Sequence, residues 1–173
     1  ICLAIPVGVV SAVKRGTLFD SVGKVVALIG QSMPSFWIGI LLIMAFALYF
    51  PIFPTSGMGT AAHLVLPSLT LGSYVAASMM RVTRSAMLDA LDADYVRTAR
   101  SKGVSEWRVI WKHAFRNAAT PVLTIVALDF ANILRGAVIT ETVFAWPGIG
   151  KLAVDAVYAR DFPLVQAAVL FMG

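Results

Sequence analysis

No Asp, Glu, Lys or Arg occurs between Lys24 and Arg81. Soluble domains carry roughly 25% charged residues, so so long an uncharged stretch restricts the chain to surroundings that penalise charge. The apolar runs are continuous. A membrane β-barrel would instead alternate apolar and polar positions over segments of about ten residues. The expected fold class is therefore all-α, a polytopic transmembrane helical bundle in which each backbone polar group is satisfied within its own helix. A hydrophobic content of 59% and a mean hydropathy of +0.84 agree with that expectation.

Spans are expected at about 1–13 (partial), 25–50, 64–85, 118–143 and 164–173 (partial), within a single domain over 1–173. As a helix, 25–50 would be about 39 Å long at ~1.5 Å per residue. That exceeds a hydrocarbon core of roughly 30 Å, so tilt or a kink at Pro34 is expected. The chain begins on Ile1 and both ends fall in apolar runs. We read it as a fragment, with at least one span upstream and its last helix cut.

The placement of charge orients the bundle. Residues 81–116 hold eight of the fourteen Lys and Arg, and Lys14, Arg15 and Lys24 form a second cluster. Both fall on one side. The loops 51–63 and 144–163 fall on the other, with only Lys151 and Arg160 between them. Lys/Arg bias in short loops makes the first side cytoplasmic. That cause is simpler than a nucleic-acid partner, and none is expected.

One cysteine, Cys2, excludes an internal disulfide and a cysteine metal site. His63 and His113 lie on opposite sides of the expected membrane, so no metal and no cofactor are expected. The chain has no Gly-x-Ser-x-Gly, no His-Glu-x-x-His, and no second carboxylate to pair with Asp129 at membrane depth. An intramembrane enzyme is thereby disfavoured, and no catalytic residue is assigned.

The basic loop, 86–117, has internal order. Asp94 is placed to cap a short helix and Gly103 to end it, with Arg97, Arg100 and Lys102 towards its C-terminal half. Ser105 is placed to cap a second helix, with Glu106 in its first turn and Val104 and Val109 positioned as a hydrophobic staple. Trp107, Ile110, Trp111, Ala114 and Phe115 then form one apolar face, opposite Arg108, Lys112 and Arg116. On the residues alone two readings stay open. One is an interfacial helix with its cations on anionic lipid. The other is a helix pair that enters a groove on a partner protein.

Asp129, Asn132 and Arg135 recur at intervals of three in the 118–143 span, within roughly a 120° arc. Charges at membrane depth face a cavity or a partner, so this stripe either lines a translocation path or contacts a neighbouring helix, with Arg135 snorkelling outwards. Glu141 lies at the outer end of that span and either caps the loop or meets an external protein. Trp146-Pro147-Gly148 reads as a turn with an interfacial aromatic, or as a docking element. The small residues Ala76, Ala77 and Ser78 are expected to allow helix packing.

The run Asp94-Tyr-Val-Arg-Thr-Ala-Arg-Ser-Lys-Gly103, followed by Arg116-Asn-Ala and Pro121, resembles the cytoplasmic signature of ABC importer permeases, more narrowly their peptide/nickel subfamily. Leu66-Pro67-Ser-Leu-Thr-Leu with Arg81-Val-Thr-Arg84-Ser-Ala-Met87 is similar to that subfamily's fourth-span region. Glu141-Thr-Val-Phe-Ala-Trp146-Pro-Gly-Ile-Gly150 with Ala159-Arg160-Asp161-Phe-Pro163-Leu-Val-Gln166 is similar to its last external loop. The general signature opens Glu-Ala-Ala, where this chain has Arg97-Thr98-Ala99, and its later Leu-Pro is replaced by Phe115-Arg116. Both departures resemble the peptide/nickel branch.

The resemblance implies a permease subunit of an ATP-driven importer of di- or oligopeptides, multi-pass in a bacterial inner membrane and not itself an enzyme. The chain lacks the Gly-x-x-x-x-Gly-Lys-Ser/Thr phosphate loop, so ATP hydrolysis is expected on a separate chain. The implied partners are cytoplasmic ATPase subunits, a second homologous permease, an extracytoplasmic substrate-binding protein and the lipid bilayer. The implied coupling residues are Asp94, Arg97, Ala99, Arg100, Gly103, Ser105, Trp107 and Arg108, with Ala99 small so that the partner can approach. The other class kept open is a secondary transporter or channel subunit that works without an ATPase.

Overall fold

The computed structural model describes residues 2–134 and 138–172, and every regular element among them is helical. In chain order these are α1 (Ala4–Val13), α2 (Leu18–Ser32), α3 (Ser35–Ile43) running into a π-turn (Met44–Tyr49), and α4 (Ala61–Leu91). Next come α5 (Asp94–Ser101), α6 (Glu106–Arg108) running through a π-turn (Val109–Ala114) into α7 (Phe115–Leu134), then α8 (Val138–Val143), α9 (Ile149–Ala159) and α10 (Phe162–Met172). Met33 and Pro34 separate α2 from α3, where proline removes an amide donor and pushes the preceding residue out of helical geometry. Among the described residues no single helix is both long and apolar enough to cross a membrane; α2 and α3 with its π-turn meet that standard together.

The chain divides into two compact units, Ile1–Ser32 with Val75–Asp129, and Met33–Tyr74 with Phe130–Gly173. In the first, α1 turns a small-residue stripe inwards: Ala4, Gly8, Ser11 and Ala12 are all buried. A side chain at Gly8 would stand 2.8 Å from the Met80 carbonyl oxygen and from Thr83 Cβ. Small residues at this spacing let helix backbones approach closely. Below that contact one apolar cluster gathers Val9 and Ala12 of α1, Met87 and Ala90 of α4, Val96 and Ala99 of α5, Val109, Ala114 and Ala118. The basic loop is therefore anchored by the chain's own core. A second cluster joins Ala4, Ala27, Ala77, Met79, Met80 and Val122, so of the three small residues expected to pack, Ala77 is central.

In the second unit Gly39 of α3 lies against Phe144, Val143 and Thr70, and Phe144 is fully buried. The Gly57 amide donates to the Phe144 carbonyl at 2.9 Å, tying the loop before α4 to the end of α8. Residues 144–163, expected as an irregular external segment, hold the three-turn helix α9. Asp161 caps the following helix, its Oδ1 accepting from the Leu164 amide at 3.1 Å. His63, expected in a loop, sits in the first turn of α4 with its Nδ1 accepting from the Thr60 amide.

Candidate functional site

The cationic helix pair is built on a left-handed break. Gly103 has φ +73°, a conformation that costs a residue bearing a Cβ. Around it the Val104 amide donates to the Ala99 carbonyl and the Gly103 amide to the Arg100 carbonyl, at 3.2 and 3.0 Å. These are the two bonds of a Schellman C-terminus. Val104 packs on the cluster that holds Ala99 and Val109, so the end of α5 and the start of α6 are closed by one apolar contact. Gly103 does what its position in the sequence implies.

Both expected N-caps differ in detail. Asp94 is the first helical residue of α5, and Ala93 holds the cap position with extended backbone and no side-chain cap bond. Ser105 does precede α6, but its hydroxyl makes no cap bond. Instead Glu106 turns back to Arg100, taking Nε at 3.2 Å and Nη2 at 2.7 Å. This fork joins α5 to α6 and holds the Glu106 carboxyl below the usual carboxylate range. The pair is solvent-exposed, where such bridges contribute about 0.2–1 kcal/mol. Glu106→Gln is therefore expected to lower stability by no more than about 1 kcal/mol in thermal unfolding of the detergent-solubilised protein. The contribution stands above the unfolded carboxyl's pKa and fades as pH falls through the lower, folded value.

Arg97, Arg100, Lys102, Arg108, Lys112 and Arg116 are all exposed. Trp107 is 70% exposed and begins a ladder of rings, with centroids 5.5 Å to Trp111 and 5.3 Å from there to Phe115. Ala99 requires a correction. It is only 8% exposed and lies in the chain's own core, so its small side chain serves packing under α4 and α1, not a partner's approach. The apolar side of α5, Val96 and Ala99, is short and hard to see in the sequence because two small aliphatics suffice for it.

The same unit holds a buried ion pair between Arg84, part of the fourth-span motif, and Asp20, which the sequence did not single out. Asp20, in the first turn of α2, is fully buried. Its carboxylate accepts from Arg84 Nε at 2.6 Å and Nη2 at 3.0 Å, from Ser11 Oγ at 2.7 Å and from the Gly16 amide at 3.0 Å. Lys24 Nζ lies 3.2 Å away. The Arg84 fork, with help from Ser11 and Gly16 and against the cost of burial, holds the Asp20 carboxyl far below the ordinary range. The available sequence signal was Thr17-Leu-Phe-Asp20, a capping-box spacing; the Asp20 amide does approach Thr17 Oγ1, at 3.4 Å.

Within α7, Asp129 is partly buried, and its Oδ2 has no hydrogen-bond partner among the described residues. Asn132 follows on the same helix, and Arg135 lies outside the described residues. In the second unit Glu141 Oε2 accepts from the Lys151 amide at 2.9 Å. This carboxylate therefore sits on the N-terminal turn of α9, where helix amides and dipole favour an anion. The geometry is that of a cap, made across the Trp146-Pro147-Gly148 connection. Gly148 and Gly150 leave it room: a Cβ on Gly148 would be 2.3–2.5 Å from the Glu141 carboxyl atoms, and one on Gly150 would be 2.7 Å from Val138 Cα. Gly150, not among the site residues named from sequence, is the more constrained of the two, because the atom it would meet is backbone. Among the described residues no His, Cys, Asp and Glu cluster could hold a metal ion.

The sequence matches the profile of the binding-protein-dependent transport system inner membrane component over residues 4–173. It is similar to the dipeptide transport system permease protein DppB of Escherichia coli (strain K12), with 40% identity covering 98% of this chain and 59% of that protein. It is 44% identical to the di/tripeptide transport system permease protein DppB of Pseudomonas aeruginosa (strain UCBPP-PA14), over 95% of this chain and 57% of that one. With the glutathione transport system permease protein GsiC of Pectobacterium atrosepticum the identity is 48%, over 95% and 54% of the two chains. The chain thus spans between 54% and 59% of the length of these curated relatives.

Proposed function

Because this chain belongs to the binding-protein-dependent transport system inner membrane component family, we propose that it is part of a multi-pass permease subunit of an ATP-driven importer of short peptides. The observation that carries the reading is the closed α5–Gly103–α6 pair. Its apolar side is in the chain's own core, while Arg97, Arg100, Trp107 and Arg108 remain outside. A rigid, cationic and aromatic projection suits insertion into a groove on a cytoplasmic ATPase subunit, which would drive the permease between its states. Outward apolar side chains on α2 (Val22, Val25, Leu28), α3 (Phe36, Ile40) and α10 (Leu170, Phe171) support a bilayer around the spans, since apolar surface on that scale is costly in water.

A second homologous permease would complete the path, and an extracytoplasmic binding protein would deliver the substrate to the outer end that includes Glu141, Trp146, Pro147 and Gly148. Asp129, Asn132 and Arg135 would line the path. The relatives are named for dipeptides, di/tripeptides and glutathione. The shared chemistry is a short peptide with an amine and at least one carboxylate, which a lining of both charge signs would accommodate.

The test is reconstitution of the complete transporter in proteoliposomes with a radiolabelled alanyl-alanine or glutathione supplied by the binding protein. Uptake should require ATP and the ATPase subunits; gradient-driven uptake by the permease alone would overturn the reading. Gly103→Val in the same assay should reduce uptake by at least tenfold with membrane insertion unchanged. Nothing lies within 4 Å of the added Cβ, so the obstacle is the left-handed backbone, which costs on the order of 1–3 kcal/mol and reorients α5 against α6. Full uptake by this variant would count against the coupling role.

A further inference from the structure

We infer that Asp20 and Arg84 are positioning residues for energy coupling: their buried fork makes α1, the α1–α2 turn, the second half of α4 and the α5–α6 pair move as one body. The inference rests on the coupling role proposed above and names how a push on α5 reaches the spans.

The residues on that route are continuous. Val96 and Ala99, on the inner side of α5, share a cluster with Met87 and Ala90 of α4 and with Val9 and Ala12 of α1. A push on α5 therefore bears on two helices at once. Apolar side chains in contact resist compression but offer little against sliding, because dispersion is nearly non-directional. Something directional has to keep α1 and α4 in register. Two features meet that need. At Gly8 the α1 backbone lies so close to Met80 and Thr83 that a Cβ would not fit. Just past it Asp20 collects Ser11 of α1, the Gly16 amide of the turn, Lys24 of α2 and both donors of the Arg84 fork on α4.

A two-pronged guanidinium–carboxylate contact fixes angle as well as distance. The Asp20 side chain is 1% exposed and that of Arg84 19%, so water does not substitute for either partner. No charged group of the α5–α6 pair is needed for the clasp. Its effect on coupling would therefore pass through the helices, not through contact with the ATPase.

The experiment uses charge-retaining changes in the complete transporter. Arg84→Lys keeps the cation but loses the fork. Asp20→Glu keeps the anion but displaces it by one methylene. Assembly is read by co-purification of permease and ATPase subunits. Coupling is read as labelled alanyl-alanine or glutathione (whichever the parent transports) taken up per ATP hydrolysed. We expect at least one variant to assemble and hydrolyse ATP as the parent does, with uptake per ATP reduced at least fivefold. An unchanged ratio in a variant that assembles overturns the inference, because a purely structural pin would lower the amount of transporter and leave the ratio alone. Failure of both variants to assemble overturns it equally, by showing a folding role only. A parent transporter whose uptake does not depend on ATP would instead defeat the importer reading itself.

Discussion

Asp20→Ala is expected to destabilise the protein by roughly 3–5 kcal/mol, the range for breaking a buried ion pair by removing one partner. The variant strands the Arg84 guanidinium against a largely dehydrated wall and leaves the Ser11 hydroxyl and Gly16 amide without their acceptor. The measurement is thermal or denaturant unfolding of the detergent-solubilised permease, followed through Trp fluorescence. A change below about 1 kcal/mol, the scale of an exposed bridge, would mean the pair is effectively solvated. Arg84→Met should be similarly harmful, because it strands the carboxylate. Combining it with Asp20→Asn should cost less than the two single changes summed, since the double variant leaves no buried unpaired charge and Lys24, the remaining cation, is half-exposed. The dependence on pH has a definite sign. Asp20 is held far below the ordinary carboxyl range, so its contribution is complete above the unfolded value of about 3.9 and is lost only as pH falls towards the folded value. Between pH 5 and 8 the gap between parent and variant should therefore stay constant.

Gly150→Val is the second large effect expected, on the order of 3 kcal/mol from overpacking and the loss of a helix cap. The added Cβ would meet Val138 Cα at 2.7 Å and Glu141 Oε2 at 2.8 Å. The first of these is backbone and cannot swing aside. Gly148→Ala gives the contrast. Its Cβ would collide only with the end of the Glu141 side chain, which can rotate away at the cost of its bond to the Lys151 amide. About 1 kcal/mol, the typical value of a cap, is expected there. Glu141→Gln keeps an acceptor oxygen and loses the charge, so it should fall below Gly148→Ala. Unfolding curves of the three variants check the order. Equal losses for Gly150→Val and Gly148→Ala would show that only the cap matters.

Much of the helix pair was legible because its determinants are local. Gly103 had to be left-handed to end α5, and the staple residues Val104 and Val109 lie in one cluster. The caps were read less well. Asp94 and Ser105 have the right residue types, yet neither side chain caps; Glu106, in the first turn of α6, is instead paired with Arg100. Propensity names residues able to cap, and competition among partners decides whether they do. Helix α9 was passed over because Trp146-Pro147-Gly148, just before it, read as a turn within an external loop. Its start depends on Glu141 reaching back across that turn, a contact no window of helical periodicity contains. Ala99 was assigned outwards for the same kind of reason: a small side chain fits a close partner equally well on either side of a helix.

The sequence by itself determined the all-helical class, the break at Gly103 and the family. Each of these is carried by composition, short-range periodicity or one residue's allowed backbone, and such terms need no knowledge of what packs against what. Only the tertiary structure decided that Asp20 meets Arg84, 64 positions along the chain, that Ala99 faces inwards, and that Glu141 caps α9. Those outcomes depend on which partner reaches a buried charge or donor first, and in a packed interior that is settled by three-dimensional geometry, which no single segment encodes.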